Sequence, residues 1–486
     1  MCRDRRVLVA SRSLRERSDT GCAMRVAFVS TNREKLPDAV VPLGLLYVLA
    51  ATPERHHRVL WDLCFQDDPR SYLAEQVRSL DPQVIAIGIR NLANNDYSGV
   101  SDNLAFYDDF IRWLRASSPA TVVVGGAGFS VMPEQLMERL RPDFGIVGEG
   151  ETAFPALLEQ LEAGTDEWAS VPGLLWFDDG TLCSTPRGAP LSLGELAVPD
   201  RSLVDPRYYA QFGTDSVQTK RGCPMQCTYC TYPQIEGKVS RQREPARVVD
   251  ELESMRAEQP GPSHVFVVDA VFNMPSWHAE AVCAEMIARR WDLAWTCYVN
   301  PLGFDQRLAE LMAQAGCTGI EVGADSGRNE TLGKLKKGFS TEDIRRVSAL
   351  AKANGLRDCH TFLLGSTGET LDDVEQTLDF IVDLEPFAAI LMTWVDEAEA
   401  FDPELASRRQ SFRAEIDGLV EANRGRFPRW IVPRLGVNYD PRLFRYLRAT
   451  GRRGPLWQHL ADAAGTGVEG SSPGPRRGRP GQGGTS

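Results

Sequence analysis

Short apolar runs alternate with helical patterns over residues 24–165, and this alternation constrains the fold more than any other feature of the chain. Five runs have the character of buried strands, and each is followed by a segment of helical periodicity. The runs read RVAFVS, RVLWDL, QVIAIGI, TVVVGG and FGIVG. Strands separated by helices predict an α/β fold, a doubly wound, Rossmann-like parallel sheet with helices on both faces. Ligands of such sheets bind at the carboxyl ends of the strands.

Glycines follow the fourth and fifth of these runs: Gly125, Gly126, Gly128, Gly148 and Gly150. A glycine lets the backbone approach a large ligand closely, although tight turns alone would also explain the cluster. We expect Gly126 and Gly148 to contact a ligand at this edge of the sheet.

A second alternating series follows VPGLLWFDDGTL, a segment with hairpin character. Its strands read SVQTK, HVFVVD, AWTCYV, TGIEVG, HTFLLG and FAAILMTW. Six βα units in a row predict a partial (β/α)6 barrel, whose chemistry lies at the carboxyl ends of its strands. The charged and aromatic segment that follows is predicted to form a mainly helical cap.

These patterns divide the chain into six predicted segments. They are a leader (1–23), the doubly wound domain (24–165), a linker with a hairpin (166–210), the barrel (211–396), the cap (397–465) and a disordered tail (466–486). The leader is rich in arginine without an apolar core, so it is no secretory signal and is either an upstream mis-start or a basic arm. The tail is rich in Gly, Pro and Ser and cannot bury enough apolar surface to order itself.

The formal net charge of -12 argues against general nucleic-acid affinity, which needs clustered Lys and Arg. No apolar run approaches the roughly 18 residues that cross a bilayer. We therefore expect no nucleic-acid or membrane partner, and small molecules or proteins instead. The eleven cysteines are thinly spread apart from one cluster, a distribution that fits a reducing cytoplasm.

The clustered cysteines lie in RGCPMQCTYC, directly after the first strand of the barrel series. Cys223, Cys227 and Cys230 have Cys-x3-Cys-x2-Cys spacing. Three thiolates can ligate three irons of a cubane and leave the fourth open, whereas a structural zinc site takes four ligands. No second cysteine pair lies nearby, and the spacing therefore predicts a four-iron four-sulfur (4Fe-4S) cluster.

This spacing, with an aromatic residue before the last cysteine, resembles the signature of the radical SAM superfamily. The resemblance implies that the open iron binds the amino and carboxylate groups of S-adenosylmethionine (SAM) and that Tyr229 packs near its adenine. VFVVDAVFN resembles a second family segment, in which Asp269 would accept a bond from the SAM ammonium; helix capping is the other reading.

GIEVGADSG resembles the family segment that meets the SAM ribose, with Asp325 and Ser326 in place of a Glu-Ser pair. FLLGSTGET resembles the segment beside the adenine, beginning at Gly365 and with Thr in the usual place of Pro. Its Thr370 has an ordinary explanation as a helix N-cap.

The N-terminal domain resembles the cobalamin-binding domain that precedes the barrel in one branch of the family. Members that bind cobalt through histidine carry Asp-x-His-x-x-Gly after the first strand, but here STNREKLPDAVVPLG contains no histidine. We therefore expect cobalamin without a histidine ligand. Arg90 and Asn91, with Asn94 and Asn95, follow the third strand and would reach the ligand edge. Arg90 is the candidate for the lower corrin face, unless it pairs with an acid such as Asp96.

The resemblance implies methyl transfer, in which Co(I) takes a methyl group from SAM and methylcobalamin delivers it to a carbon of a small-molecule substrate. The alternatives are a cobalamin-dependent radical rearrangement or cyclisation, and a radical SAM enzyme whose N-terminal domain binds no corrinoid. An electron donor such as flavodoxin or ferredoxin is implied as a partner.

The substrate end departs from the family pattern. Five residues could wall a pocket for a planar or anionic molecule, although core packing also explains them: Trp394, Trp430, Arg434, Tyr439 and Trp457.

Overall fold

The computed structural model describes most of the chain, including both predicted series of strands. The described residues are 23–35, 38–94, 101–258, 260–395, 402–432 and 446–465. The predictions for residues 1–22 of the leader, for the tail, and for Asn95, Asp96, Arg434 and Tyr439 fall outside them.

The first sheet has seven strands in the order β2-β1-β3-β6-β7-β8-β9. The strands are β1 (Arg25–Ser30), β2 (His57–Asp62), β3 (Val84–Gly88), β6 (Thr121–Gly125), β7 (Phe144–Ile146), β8 (Leu174–Asp178) and β9 (Thr181–Ser184); β4 (Ala93–Asn94) and β5 (Ser101–Asp102) form a separate short pair. The first five strands of the order are parallel, as predicted. The β8–β9 hairpin, predicted within the linker, pairs antiparallel with β7 and extends this sheet.

Both faces of this sheet are buried, which is why its strands read as continuous apolar runs. The helices are α1 (Leu43–Ala51), α2 (Pro69–Leu80), α3 (Asn103–Ser117), α4 (Ala127–Val131), α5 (Pro133–Leu140) and α6 (Gly150–Ala163). On one face Phe28 packs against Phe154 of α6 with ring centroids 5.3 Å apart. On the other face Val29 and Ile87 pack with Phe110 of α3. Apolar burial on both faces stabilises the sheet and holds its carboxyl edge in place.

The second sheet also has seven strands, in the order β10-β13-β14-β15-β16-β17-β18, and all adjacent pairs are parallel. The strands are β10 (Thr214–Val217), β13 (His264–Val267), β14 (Ala294–Val299), β15 (Cys317–Asp325), β16 (Arg357–Leu364), β17 (Ala388–Thr393) and β18 (Trp430–Ile431); β11 (Lys220–Arg221) and β12 (Arg241–Gln242) pair separately. The first six are the predicted strands. The seventh, which contains Trp430, lies within the predicted cap.

Helices cover the outside of this sheet and close one end of it. They are α7 (Tyr232–Ile235), α8 (Pro245–Ala257), α9 (Ser276–Ala288), α10 (Gln306–Gln314), α11 (Asn329–Lys334), α12 (Thr341–Ala353), α13 (Leu371–Leu384), α14 (Pro403–Ala422) and α15 (Leu456–Gly465). Thr370 caps α13: its side chain accepts from Asp373 N while the Asp373 carboxylate accepts from Thr370 N, so the N-cap prediction is confirmed.

Two buried ionic networks join the two sheets. Glu251 of α8 accepts from Arg201 at 3.0 Å and from Arg243 at 2.8 Å, and the Tyr47 hydroxyl of α1 donates to it at 3.1 Å. In the second network Arg221 pairs with Glu149 at the start of α6 and with Glu151 inside it, at 2.9 and 2.6 Å. Since Arg221 lies two residues before Cys223, this network fixes the cysteine loop against the first sheet.

Candidate functional site

The cysteine loop follows β10 and β11 and is held by backbone contacts. Gly222 has φ +87°, and a Cβ there would lie 2.2 Å from the Val239 carbonyl oxygen, so only glycine fits. Cys223 N donates to the Gly237 carbonyl at 3.1 Å, and Thr228 N donates to the Leu335 carbonyl at 3.2 Å. The loop is therefore held by neighbouring backbone at its start and near its middle.

All three thiols of the loop are free of disulfides. Burial raises the pKa of each, and the neighbouring thiols raise the pKa values of Cys223 and Cys227 further, while Lys337 opposes the rise at all three. Among the described residues no three His, Cys, Asp or Glu side chains lie together as ligands of one metal ion. Thiolates of a cubane each bind a different iron and need not converge on one point, so this finding does not bear on the three cluster ligands, which remain a prediction.

Tyr229, Asp325 and Lys337 form a buried polar group beside this loop. The Tyr229 hydroxyl donates to Asp325 Oδ2 at 2.5 Å, and the Lys337 ammonium lies 2.6 Å from the same oxygen and 3.0 Å from the hydroxyl. Burial raises the pKa of Asp325, and Lys337 opposes this by stabilising the carboxylate. Lys337 was not among the residues predicted from the sequence. In the sequence Lys337 is one of two adjacent lysines in LKKGFS, beside a segment of apolar periodicity. Nothing in that local pattern marks it as a functional residue.

Three other predicted SAM contacts have internal partners. Asp269 is 0% exposed and accepts from Thr219 N at 2.7 Å and from Lys220 N at 3.2 Å. It does not cap a helix, since the N-cap of α9 is Pro275. The Ser326 hydroxyl, also fully buried, lies 3.3 Å from that of Thr377.

Gly365 has φ +82° and packs against α14, where a Cβ would lie 2.6 Å from Ile416 Cδ1. Its amide donates to Glu369 at 2.8 Å. The predicted contact of Gly365 with adenine remains a prediction, as do those of Asp269 and Ser326 with SAM.

The aromatic residues proposed for the substrate end separate into two groups. The Trp394 ring lies 5.5 Å from that of Tyr229 in an edge contact, so Trp394 belongs to the site. Trp430 is buried in the core between β16, β17 and α14. Trp457 packs inside one end of the barrel, in a cluster with Cys359 and Ile431.

The carboxyl edge of the first sheet carries the residues predicted to hold the corrinoid. The strand order reverses between β1 and β3, and ligands of such sheets bind at this switch point. Arg90 is exposed two residues past β3, and no carboxylate within the described part of the chain pairs with it. The Asn91 carbonyl accepts from the Tyr107 hydroxyl at 3.0 Å.

The predicted glycine contacts have structural explanations of their own. Gly126 has φ +104°, and a Cβ there would lie 2.6 Å from the Ile89 carbonyl oxygen. At Gly148 (φ +86°) a Cβ would lie 2.4 Å from the Arg187 guanidinium. Backbone packing at Gly126 and the side chain of Arg187 at Gly148 therefore account for both, and their contact with a ligand remains a prediction.

The two N-terminal histidines lie at the opposite edge of the sheet. His56 is buried and its Nδ1 accepts from Met24 N at 3.2 Å. His57 is exposed at the first residue of β2. Parallel strands place their amino ends away from the ligand edge, so neither imidazole reaches the switch point.

The ligand edge of the first sheet meets the cysteine loop. Gln234 of α7 donates to the Val131 carbonyl of α4 at 3.1 Å, and Arg187 donates to the Ile235 carbonyl at 3.0 Å. Burial raises the pKa of Tyr232, two residues past Cys230, to about 12, and Arg90 opposes this rise across the junction. A ligand at the switch point would therefore lie next to a cluster on the cysteines. None of the described helices is long and apolar enough to cross a bilayer.

Comparison with known proteins agrees with this arrangement. Residues 217–381 match the Radical SAM superfamily and residues 30–158 match the B12 binding domain. Tryptophan 2-C-methyltransferase of Streptomyces laurentii is 29% identical over 427 residues, which cover 74% of this chain and 70% of the relative.

Two solved structures extend the comparison. The radical S-adenosylmethionine methyltransferase TsrM of Kitasatospora setae, solved with cobalamin and a [4Fe-4S] cluster bound, has a TM-score of 0.68 and 27% identity, and the match covers 76% of this chain and 72% of that one. The cobalamin-dependent S-adenosylmethionine radical enzyme OxsB, at 19% identity and a TM-score of 0.64, shows the fold alone.

Proposed function

Because this chain belongs to the radical SAM enzymes that carry a cobalamin-binding domain, we propose that it transfers a methyl group from SAM, by way of the corrinoid, to a carbon of a small molecule. The observation that carries the proposal is the contact between the ligand edge of the first sheet and the cysteine loop. When bound, the cluster, SAM and cobalamin supply the electron transfer and the methyl carrier. Tryptophan, the substrate bound in a structure of TsrM, is the first candidate substrate.

In this proposal the barrel residues hold the cluster and orient SAM. Cys223, Cys227 and Cys230 are the iron ligands. Tyr229 and Lys337 fix the Asp325 carboxylate in one position, so that it can accept a hydrogen bond from a bound ligand without first reorganising. Asp269, whose contacts join it to Thr219 and Lys220, would act by fixing the start of the cysteine loop.

The corrinoid would bind at the switch point without a histidine. Arg90 is exposed at this edge, and a cation close to a bound corrinoid would disfavour the higher-charged cobalt state. The chemistry also requires electrons, so we include a small electron-transfer protein of the flavodoxin or ferredoxin class as a partner.

The test is an anaerobic preparation in which corrinoid, iron and sulfide are quantified and products are analysed after incubation with methyl-labelled SAM and tryptophan. Labelled methyl on carbon supports the proposal. A protein that retains no corrinoid, or a product altered without the label, contradicts it.

Variants of the cysteine loop test the cluster itself. Ala at Cys223, Cys227 or Cys230 should each abolish iron binding and the visible absorption, because an incomplete thiolate set cannot retain a cubane. Cys283→Ala is the matched control: Cys283 is fully buried in the apolar core and should be dispensable to the cluster. Full iron content in any of the three loop variants would contradict the ligand assignment.

A further inference from the structure

The strands of the barrel present two faces that differ in exposure. Ile320 and Val322 of β15 point outward and are 0% exposed, packed with the covering helices. Side chains on the inward face are instead partly exposed: Phe266, Tyr298, Glu321, Thr361, Leu363, Ile390 and Met392. The interior above the closed end of the barrel therefore contains space that solvent reaches.

The C-terminal segment forms the floor of this space. Trp457 of α15 lies directly under β15, where a Cβ at Gly319 would be 2.8 Å from its ring. The Trp457 indole donates to Glu321 Oε1 at 2.9 Å. The floor thus fixes one oxygen of a carboxylate that lies in the middle of the barrel.

Glu321 has no cationic partner among the residues that the structure describes. No Lys or Arg of the described residues forms an ion pair with it, and partial loss of solvent inside the barrel raises its pKa to about 7. Glu321 raises the pKa of Asp38 by repulsion, and Asp38 pairs with Arg448. Among the described residues, Asp38 and Glu321 therefore share one cation, Arg448, which pairs with Asp38.

We propose that Glu321 binds the protonated amine of the substrate, and that the substrate is an amine-bearing small molecule. An ammonium would supply the missing cation and a charge-assisted hydrogen bond. Tyr298, the register partner of Glu321 on β14 and 38% exposed, offers an aromatic face to the same cation.

The length of the space limits the size of this substrate. Asp325 lies four positions past Glu321 on β15, which is irregular between Gly323 and Asp325, so the two are at most roughly 13 Å apart along the strand. A molecule of about the size of an aromatic amino acid, with its amine on the floor, would place its far end near Asp325, Tyr229 and the cysteine loop. This inference rests on the proposed function, because it assumes that the reacting carbon lies at that end.

The test measures binding to the cofactor-loaded protein and to Glu321→Gln by calorimetry, with two probes that differ only in charge. Tryptamine carries the ammonium and tryptophol carries a hydroxyl in its place. At about pH 8 the wild-type protein should bind tryptamine at least tenfold more tightly, and Glu321→Gln should remove that preference while leaving tryptophol unchanged. Gln keeps the size of Glu and can still accept from Trp457, so the variant should fold.

Controls distinguish a loss of amine binding at Glu321 from a general effect of removing an acid and from a loss of cofactors. Glu310→Gln changes an exposed acid on α10 and should bind both probes as the wild type does. Equal affinity for the two probes, undetectable tryptamine binding, or an unchanged preference in Glu321→Gln overturns the inference. Corrinoid and iron are measured in the same samples: their absence contradicts the proposed function, whereas their presence without amine preference contradicts only the role of Glu321.

Discussion

Glu251 is the residue whose loss should most weaken the junction between the two sheets. Its side chain is 1% exposed, and it balances Arg201 and Arg243, which are 1% and 2% exposed. In Glu251→Ala, Arg201 keeps Asp215 at 3.0 Å, but Arg243 loses the one carboxylate that pairs with it in the described chain. The variant therefore leaves about one uncompensated charge in the interior.

The expected loss of stability follows from this one uncompensated charge. Removing one partner of a buried ion pair destabilises by about 3–5 kcal/mol. At roughly 2–4 °C per kcal/mol for a domain of this size, the melting temperature should fall by roughly 6–20 °C. Differential scanning calorimetry and urea unfolding followed by tryptophan fluorescence measure the loss.

The same helix offers a matched control. Glu253 lies two residues along α8, is 48% exposed and pairs with Arg289 at 3.2 Å, so Glu253→Ala should change the unfolding free energy by less than about 1 kcal/mol. Glu251→Gln keeps the volume and removes the charge, and it should lose nearly as much as Glu251→Ala. A Glu251→Gln protein as stable as the wild type would refute the electrostatic reasoning and leave packing as the cause.

Three further predictions concern the site. Lys337→Met removes the cation beside Asp325 and should weaken SAM binding in equilibrium dialysis at least tenfold, while Lys334→Met, on the exposed side of α11, should not; equal affinities would contradict this. Arg90→Ala should retain cobalamin but change the electron paramagnetic resonance of its Co(II) form, and nitrogen splitting from an imidazole in the wild type would contradict the missing histidine ligand. Burial raises the pKa of Asp38 from 3.8 to about 7, so the folded state holds this proton more tightly than the unfolded state does. The proton therefore stabilises the folded state at low pH, and this stabilisation should be lost as the pH rises from 3.8 to about 7. The pH dependence of urea unfolding should lose this component in Asp38→Asn, and an unchanged profile would contradict the shift.

The strands of the first sheet could be predicted because that sheet is buried on both faces, so that each strand appears as an apolar run. The barrel strands could be predicted because their outward side chains are apolar and alternate with helical segments. The last strand, Trp430–Ile431, could not, because two residues have no periodicity and its partner Ala389 lies far back in the chain. The hairpin was predicted, but not its attachment to β7. Pairing at a sheet edge depends on a three-dimensional neighbour that local sequence does not specify.

The distinction between local sequence patterns and three-dimensional neighbours also applies to the site. The cysteine ligands follow from spacing within one loop, and the absence of a histidine from the loop after β1 is likewise a local fact. Lys337 escaped prediction because its partner Tyr229 lies 108 residues away. The contact of Asp269 with SAM stays a prediction, whereas its bond from Thr219, 50 residues back, could not be predicted because local sequence does not show which donors a buried acid will meet.

Glu321 shows that some of this information was present in the sequence. In TGIEVGAD the apolar residues at 320 and 322 predict an outward face, so an acid at 321 must point into the barrel, where an unpaired carboxylate is costly. Such an acid requires either a partner from another part of the chain or a ligand. The sequence poses that choice. In the structure the Trp457 indole donates to Glu321, and Arg448 pairs with Asp38. Within the described part of the chain Glu321 therefore has a neutral donor and no cation, and the proposed amine contact rests on that observation.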